Sequence, residues 1–433
     1  MEGGLKIGSI LKTADGNTIK VLKELGEGGQ GYVYLIDYKN TKKALKWYKM
    51  SALGDSPKTF YDNLNDNKSK GTPSSEFLWP LDITNWKEGE TFGYVMELIP
   101  EGFHELSEFM LCHVRFRSYK RAVDAAINIV SAFRILHNQG YSYQDLNDGN
   151  FFINPDDGNI VICDNDNVAP NGKSTGVLGK PRYMAPEIVL GKNMPNTASD
   201  LFSMSVILYI LFCLNHPLEG KRYLCPGLSP ILQEKLYGSE PLFMMDPDDK
   251  RNEPHPVIHK NSINVWKEMP DYICKLFLKA FSKDSLSNPA HRPQEIHWLK
   301  ALVRFRSDIV ACRCGNEEFT KDGRPSKCSC CGKMMVIPFR LDIIEYCIPA
   351  VPKSILFRCQ LGICDQKDAT QKVAQIVRKK ETGALGIRNK TDKTWNAVST
   401  KGENKKVKPE EVIPLKDGIS FEAYDAKVII RMN

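Results

Sequence analysis

No apolar run in the 433-residue chain is long enough to cross a bilayer. The longest, "MSVILYILFCL" from Met204 to Leu214, falls well short of the ~20 residues that a spanning helix needs. The first residues, "MEGGLKIGSILK", lack the charged-then-apolar layout of a signal peptide. Neither an internal repeat nor a long low-complexity tract is present, which sets solenoid and tail-like architectures aside. These absences predict a cytoplasmic protein without a membrane partner. What remains is ordinary for a globular protein, at 42% hydrophobic and 26% charged residues, with length for two or three domains.

A disulfide framework is missing as well. The 13 cysteines are odd in number, and five of them fall between Cys312 and Cys331, a bunching that suggests metal binding in a reducing compartment. Charge is unevenly spread. Residues 301–433 carry 25 Lys and Arg against 16 Asp and Glu, a net of +9, which leaves −2 for residues 1–300. The basic tail has no regularly interleaved aromatics, so it reads as a solvated surface rather than a nucleic-acid partner's site.

Organisation changes along the chain. Residues 20–36 read as two strands around a glycine turn, "KKALKWY" (42–48) as a third, and "FGYVMELI" (92–99) as an apolar one. From Tyr119 the apolar residues Ala122, Ala125, Ile129, Ala132, Phe133 and Leu136 recur at helical spacing. The fold class is therefore α+β with two lobes. After the cysteine cluster comes a Pro-rich connection, "CIPAVPKS" (347–354), and residues 384–433 return to short strands.

"GEGGQG" sets Gly26, Gly28 and Gly31 in the G-x-G-x-x-G spacing. Three glycines in a turn are common, and a dinucleotide-binding loop would need a helix to follow. Here "YVYLI" predicts a strand, so the motif is a hairpin whose backbone can lie flat over phosphates. Lys46 follows on the next strand, able to pair with them; a lone strand lysine is usually just solvated, so further parts are needed.

Those parts stand in "YSYQDLNDGNFFI", where Asp145 and Asn150 have D-L-x-x-x-N spacing, and in "CDNDNV", which carries Asp164 after an apolar strand. A calcium loop is excluded, because counting from Asp145 the sixth position is Asn150 rather than Gly and the twelfth Asp156 rather than Glu. "GKPRYMAPE" then closes on Ala185-Pro186-Glu187, "SDLFSMSVILYILF" puts Asp200 at the head of an apolar helix, and "NPAHRP" offers Arg292 as partner to Glu187.

In order and spacing these motifs resemble the eukaryotic-like protein kinase family over roughly residues 15–305. The resemblance implies a bilobal kinase fold over 1–305, with an N-lobe to about 98 and a C-lobe from about 99. It implies ATP under Gly26, Gly28, Gly31 and Val33, with Lys46 on the phosphates. Met96, Glu97 and Leu98 match the gatekeeper and adenine hinge. Asn150 and Asp164 would hold Mg2+, and Asp145 would take the proton of a protein hydroxyl.

Four departures stand out. The helix "KTFYDNLNDNKSKG" (58–71) lacks the glutamate that normally pairs with the lysine, leaving Asp62, Asp66 or an asparagine to reach Lys46. His-Arg-Asp has become Tyr143-Gln144-Asp145, which removes the counter-charge for a phosphorylated activation loop, although Ser174 and Thr175 offer hydroxyls there. Asp-Phe-Gly has become Asp164-Asn165-Asp166, with Asp166 either a metal ligand or solvent-exposed. Asn147 stands where serine/threonine kinases carry a lysine, and Lys180 where they carry a threonine, so Lys180 is expected to supply the missing charge from across the site. Since Lys46, Asp145, Asn150 and Asp164 all survive, an active kinase is favoured over a nucleotide-binding scaffold.

"CRCG" and "CSCCG" give Cys312, Cys314, Cys328 and Cys331 as four thiolates for a zinc ribbon over 306–340, with Cys330 as a spare. Cys359 and Cys364 have no matching pair and read as core residues. A linker is expected over 341–383 and a small β-domain over 384–433. The latter is similar to forkhead-associated domains in "LGIRN" and "PLKDGISFEAYDAKVII", Arg388 matching their phosphothreonine-reading arginine. No Ser-x-x-His follows, so a structural or docking role is expected. Together with "FLWPLDI" (77–83) and "LFMMDPDD" (242–249), this order resembles a bacterial kinase group linked to a von Willebrand A-type protein and a metal-dependent phosphatase in tellurite-resistance or stress clusters.

Overall fold

A computed structural model describes residues 4–53, 56–173, 179–224, 227–362, 364 and 369–433. Ser174 and Thr175 lie outside the described residues. The N-terminal lobe is an antiparallel sheet of β1 (Ile10–Lys12), β2 (Thr18–Glu27), β3 (Gly31–Tyr38), β4 (Thr41–Tyr48), β5 (Asp82–Ile83) and β6 (Gly93–Met96), in the order β1-β2-β3-β4-β6-β5. Helix α1 (Pro57–Lys70) covers one face, started by Pro57 in its first turn and stopped at Gly71, whose φ is +78°.

The parity of β4 decides where the site lysine goes. Successive strand residues point to opposite faces. Leu45 joins Ile19, Val21, Tyr34 and Ile36 on the outer face. Ala44 and Tyr48 pack on the other with Phe60 and Leu64 of α1, so Lys46 between them faces inward as well.

In the second lobe, helices Tyr119–Asn138 and Thr197–Cys213 cross the core. The latter is apolar all round and buried from Ser199 to Cys213, as a core helix must be. It contains the apolar run from Met204 as far as Cys213, which therefore packs against protein. Among the described residues no helix is long and apolar enough to cross a membrane. Asn196 and Ser199 form a reciprocal cap at its start, which leaves Asp200 free to reach out of the first turn.

The cysteine cluster follows helix Glu295–Asp308 as a hairpin, Ile309–Ala311 against Glu317–Phe319. Phe319 stacks on Phe305 at 5.0 Å, which seats the hairpin on the helical lobe. The last part of the chain is two facing sheets. One has six strands, in the order 347–349, 339–342, 426–432, 420–423, 395–398, 404–407; the other has four, 355–357, 372–378, 385–389, 412–414. Trp395 and Phe421 stack at 4.9 Å in the core between them.

The stretch 341–383 is thus not a linker. It supplies strands 347–349, 355–357 and 372–378, and strand Phe339–Asp342 straddles its start. Strand Lys372–Arg378 is paired at both edges and Ile355–Phe357 along one, and both bury adjacent residues rather than alternate ones, so their partners reveal them and their pattern does not. Phe357, Cys359 and Ala369 from this stretch enter the core of the helical lobe, and the Arg306 guanidinium lies over the Phe357 ring. Cys359 is buried and Cys364 packs beside it, as core cysteines do. Arg388 sits within strand Leu385–Asn389, opposite Gln375 and 3.8 Å from Glu410.

Candidate active site

A cleft of about 510 Å³ between the lobes is lined by Gly28, Gly31 and Val33 from above and by Lys46, Asp145, Asn150, Asp164 and Lys180 from behind and below. Gly31 is required there for space, because a Cβ would stand 2.2 Å from the Trp47 carbonyl oxygen. Gly26 lies two pairs back from the Gly28–Gly31 turn, opposite Val33 on β3. Met96 ends β6 and is buried, Leu98 is half-buried, and the Glu97 carboxylate turns outward to Lys43 at 2.6 Å.

Lys46 is 4% exposed, and its ammonium donates to Gln30 Oε1 at 2.8 Å, Asp164 Oδ1 at 3.1 Å and Asp166 Oδ2 at 2.8 Å. Burial alone would lower its pKa, but the two carboxylates outweigh that and hold it charged. Neither Asp62 nor Asp66 reaches it. Both are exposed, Asp62 paired with Lys58 one helical turn away, because the buried side of α1 is Phe60, Leu64 and Asn67. Asp166 is not solvent-exposed either, at 1%.

Asp145 is set by its neighbours in the catalytic loop. Asn150 Nδ2 donates to the Asp145 carbonyl at 2.8 Å, and Asn147 Nδ2 to its carboxylate at 3.2 Å. Burial and then the nearby Asp164 charge push the Asp145 pKa up to about 6. Lys180 Nζ donates to Asn147 Oδ1 at 2.9 Å, which brings a cation to the edge of Asp145. The Asn150 amide N–H being taken, its oxygen and the Asp164 carboxylate remain as hard donors facing the cleft, a set that fits Mg2+.

The departures from the kinase pattern are filled by other contacts. Tyr143 is fully buried, its hydroxyl donating to the Cys163 carbonyl. Asp200 accepts from the backbone N–H of Tyr143 at 2.6 Å and of Gln144 at 3.2 Å. Gln144 Nε2 donates to the Lys173 carbonyl at 2.5 Å, a tie to the activation segment that needs no phosphate. Asn165 Nδ2 donates to the Leu78 and Ile162 carbonyls, both at 2.9 Å, and so pins the segment where an aromatic ring would otherwise pack.

His137 locks this arrangement from below, between Asp200 at 3.1 Å and Glu295. Burial would lower its pKa, but the two carboxylates hold it up at about 9. A raised histidine pKa stabilises the fold fully below its unfolded value near 6.5, and that share is lost as pH rises through 9. The share is about 3 kcal/mol at most. Urea titrations at pH 6 and pH 10 should show a steeper loss for the parent than for His137→Gln; equal losses would mean that His137 is neutral in the fold.

Sequence motifs located Lys46, Asp145, Asn150, Asp164 and Lys180, named Asp166 as a metal ligand or an exposed acid rather than as the partner of Lys46, and missed Gln30 and Tyr48. The available signals were a polar residue at the tip of the glycine loop, a lysine and tyrosine two apart on one strand, and the doubled acid of Asp164-Asn165-Asp166.

Elsewhere, Cys312, Cys314, Cys328 and Cys331 bring their sulfurs within 4.8 Å of one another, with 3.7 Å from Cys312 to Cys331 and 3.6 Å from Cys314 to Cys328. Four thiolates around one tetrahedral zinc stand about 3.8 Å apart, so the cluster fits that ion. Gly315 and Gly332, at φ +94° and +69°, turn each knuckle so that their amides bond back to the Cys312 and Cys328 carbonyls.

Residues 19–285 match the family model described as protein kinase domain. Similar proteins include maternal embryonic leucine zipper kinase of Danio rerio, 29% identical over 45% of this chain and 29% of that one. Calcium-dependent protein kinase 3 of Oryza sativa subsp. japonica is 26% identical over 62% of this chain and 46% of its own. The probable serine/threonine-protein kinase MARK-C of Dictyostelium discoideum is 28% identical over 46% and 26%. The chain thus spans less than half the length of each of these relatives. With the cleft, its loop order and this match over more than half its length, the chain belongs to the protein kinase family.

Proposed function

We propose that the chain transfers the γ-phosphoryl group of ATP to serine and threonine hydroxyls of a protein substrate. The observation that carries this reading is the convergence of Lys46, Asp145, Asn150 and Asp164 on one cleft roofed by Gly28 and Gly31. Phosphoryl transfer is chiefly positioning and charge neutralisation. Lys46 pairs with the non-transferred phosphates, and the flat glycine backbone covers them. Asp145 orients the attacking hydroxyl and accepts its proton. Asn150 and Asp164 would hold Mg2+, which when bound would neutralise charge on the phosphate oxygens. Radiolabelled ATP with a generic acceptor protein, parent against Asp145→Asn, tests the activity.

Lys180 takes the part of the lysine missing at Asn147. Its contact with Asn147 Oδ1 supports this, since the cation then borders the Asp145 carboxylate and the oxygen being phosphorylated. Lys180→Thr should lower turnover about 10- to 100-fold, the scale of one electrostatic contact made in the transition state, with ATP KM moved less than threefold. Turnover equal to the parent's would remove Lys180 from the chemistry.

The four-cysteine cluster is proposed as a closed structural zinc site that holds the C-terminal β-domain against the helical lobe, with no catalytic part. One zinc per chain is expected by elemental analysis. Cys314→Ser should lower both the zinc content and the urea midpoint; full zinc content in that variant would overturn the assignment. The bacterial signalling or stress setting, and partnership with a von Willebrand A-type protein and a metal-dependent phosphatase, rest on the sequence resemblance of the whole kinase–ribbon–β order.

A further inference from the structure

We infer that Asp166 is the permanent counter-ion of Lys46, in place of the glutamate that α1 lacks, so that the position of α1 no longer sets the phosphate-pairing lysine. The inference rests on the kinase reading of the cleft.

A lysine buried to 4% exposure needs a charge partner that stays. Of its three acceptors, Gln30 is neutral and belongs to the loop that covers the phosphates. The Asp164 side chain is 37% exposed and lines the cleft, where a bound Mg2+ would draw on it. Asp166 differs on both counts. Its side chain is 0% exposed, and its contact to Lys46 is 2.8 Å against 3.1 Å for Asp164. It is the one carboxylate of the pair that ATP and metal do not compete for.

The surroundings are built to hold it. Tyr48 lies two residues past Lys46 on β4, so both side chains leave the same face. The Tyr48 hydroxyl donates to the same Asp166 Oδ2 at 2.5 Å and fixes the carboxylate's orientation. Asn165, one residue earlier, is pinned to the Leu78 and Ile162 carbonyls, so the backbone carrying Asp166 is anchored too.

Helix α1, in turn, presents an apolar surface where the acid would be. Phe60 packs edge-on against the Tyr48 ring at 5.2 Å. The link from α1 to the site runs instead through Asn63 and Asn67, which donate to the Val168 carbonyl at 3.0 and 2.7 Å. The helix therefore grips the segment that carries the counter-ion, two residues downstream, and not the lysine. Asp166 is a positioning residue, acting on phosphate through Lys46.

The test separates phosphate from base. Binding of ATP with Mg2+ and of adenosine is measured by calorimetry for the parent, Asp166→Asn and the Asn63→Ala/Asn67→Ala pair, alongside kcat and ATP KM. Asp166→Asn should weaken ATP about tenfold and lower kcat at least as much, with adenosine affinity kept within twofold. The Asn63/Asn67 pair should keep ATP affinity within threefold. Equal losses of ATP and adenosine in Asp166→Asn would reduce its role to general stability, and no loss, or the same ATP loss in the α1 pair, would overturn it. A parent that binds ATP but transfers no phosphate would end the proposed activity alone, since the binding comparison still reads Asp166.

Discussion

Asp145→Asn should lower phosphoryl transfer by roughly 10²–10⁴-fold, the range that a positioned general base supplies. The substitution keeps the shape and the hydrogen bond with Asn147, so the loop stays in place while the carboxylate proposed to take the hydroxyl proton is lost. ATP affinity should change little, because in the proposed reaction Asp145 would face the acceptor and not the phosphates paired with Lys46. Lys46→Ala should behave differently, raising ATP KM as well as lowering kcat, since it would remove the contact proposed to the bound nucleotide. A parent that turns over and an Asp145→Asn variant within threefold of it would dismiss Asp145 as the base. A parent that binds ATP without transfer would favour a nucleotide-binding scaffold.

The largest expected loss of stability comes from a residue distant from the chemistry. Arg292 is 3% exposed, and its guanidinium meets Glu187 in a bidentate pair at 2.8 and 2.7 Å. It also donates to the Ala198 carbonyl at 2.8 Å and the Ser285 carbonyl at 3.2 Å. Removing one partner of such a pair strands the other's charge in the core, which costs about 3–5 kcal/mol. Arg292→Met should therefore lose about that much in urea unfolding. Adding Glu187→Leu removes the stranded charge, so the double variant should regain a good part of the loss. An Arg292→Met cost below about 1 kcal/mol would mean that the pair is solvated and anchors nothing. Because Glu187 ends the stretch that begins at Lys180, turnover should fall with the single variant and recover in part with the double.

Much of the site was legible in the chain itself because its parts are local. Asp145 and Asn150 share one loop, and the Gly28–Gly31 turn is written within a single hairpin. The pairing of Glu187 with Arg292 was legible across 105 positions only through the order of the motifs around them. The counter-ion of Lys46 was not. The sequence offers a helix with aspartates in the right place, and that helix turns them to solvent because Phe60, Leu64 and Asn67 are the face it buries. The strands within 341–383 escaped for another reason, since short segments that bury adjacent residues reveal themselves through the strands they pair with rather than through period.

By itself, then, the sequence determined the chemistry on offer: a glycine hairpin, a strand lysine, three oxygen-bearing loop residues at fixed spacing, and four cysteines in two knuckles. Tertiary structure alone decided which acid holds the lysine and whether Asp166 faces metal, water or the core. It also decided that the supposed linker is half of a sheet. The choice of acid is a question of partners far apart in the chain, Lys46 and Asp166 at a separation of 120, and burial, not local propensity, selects among the candidates.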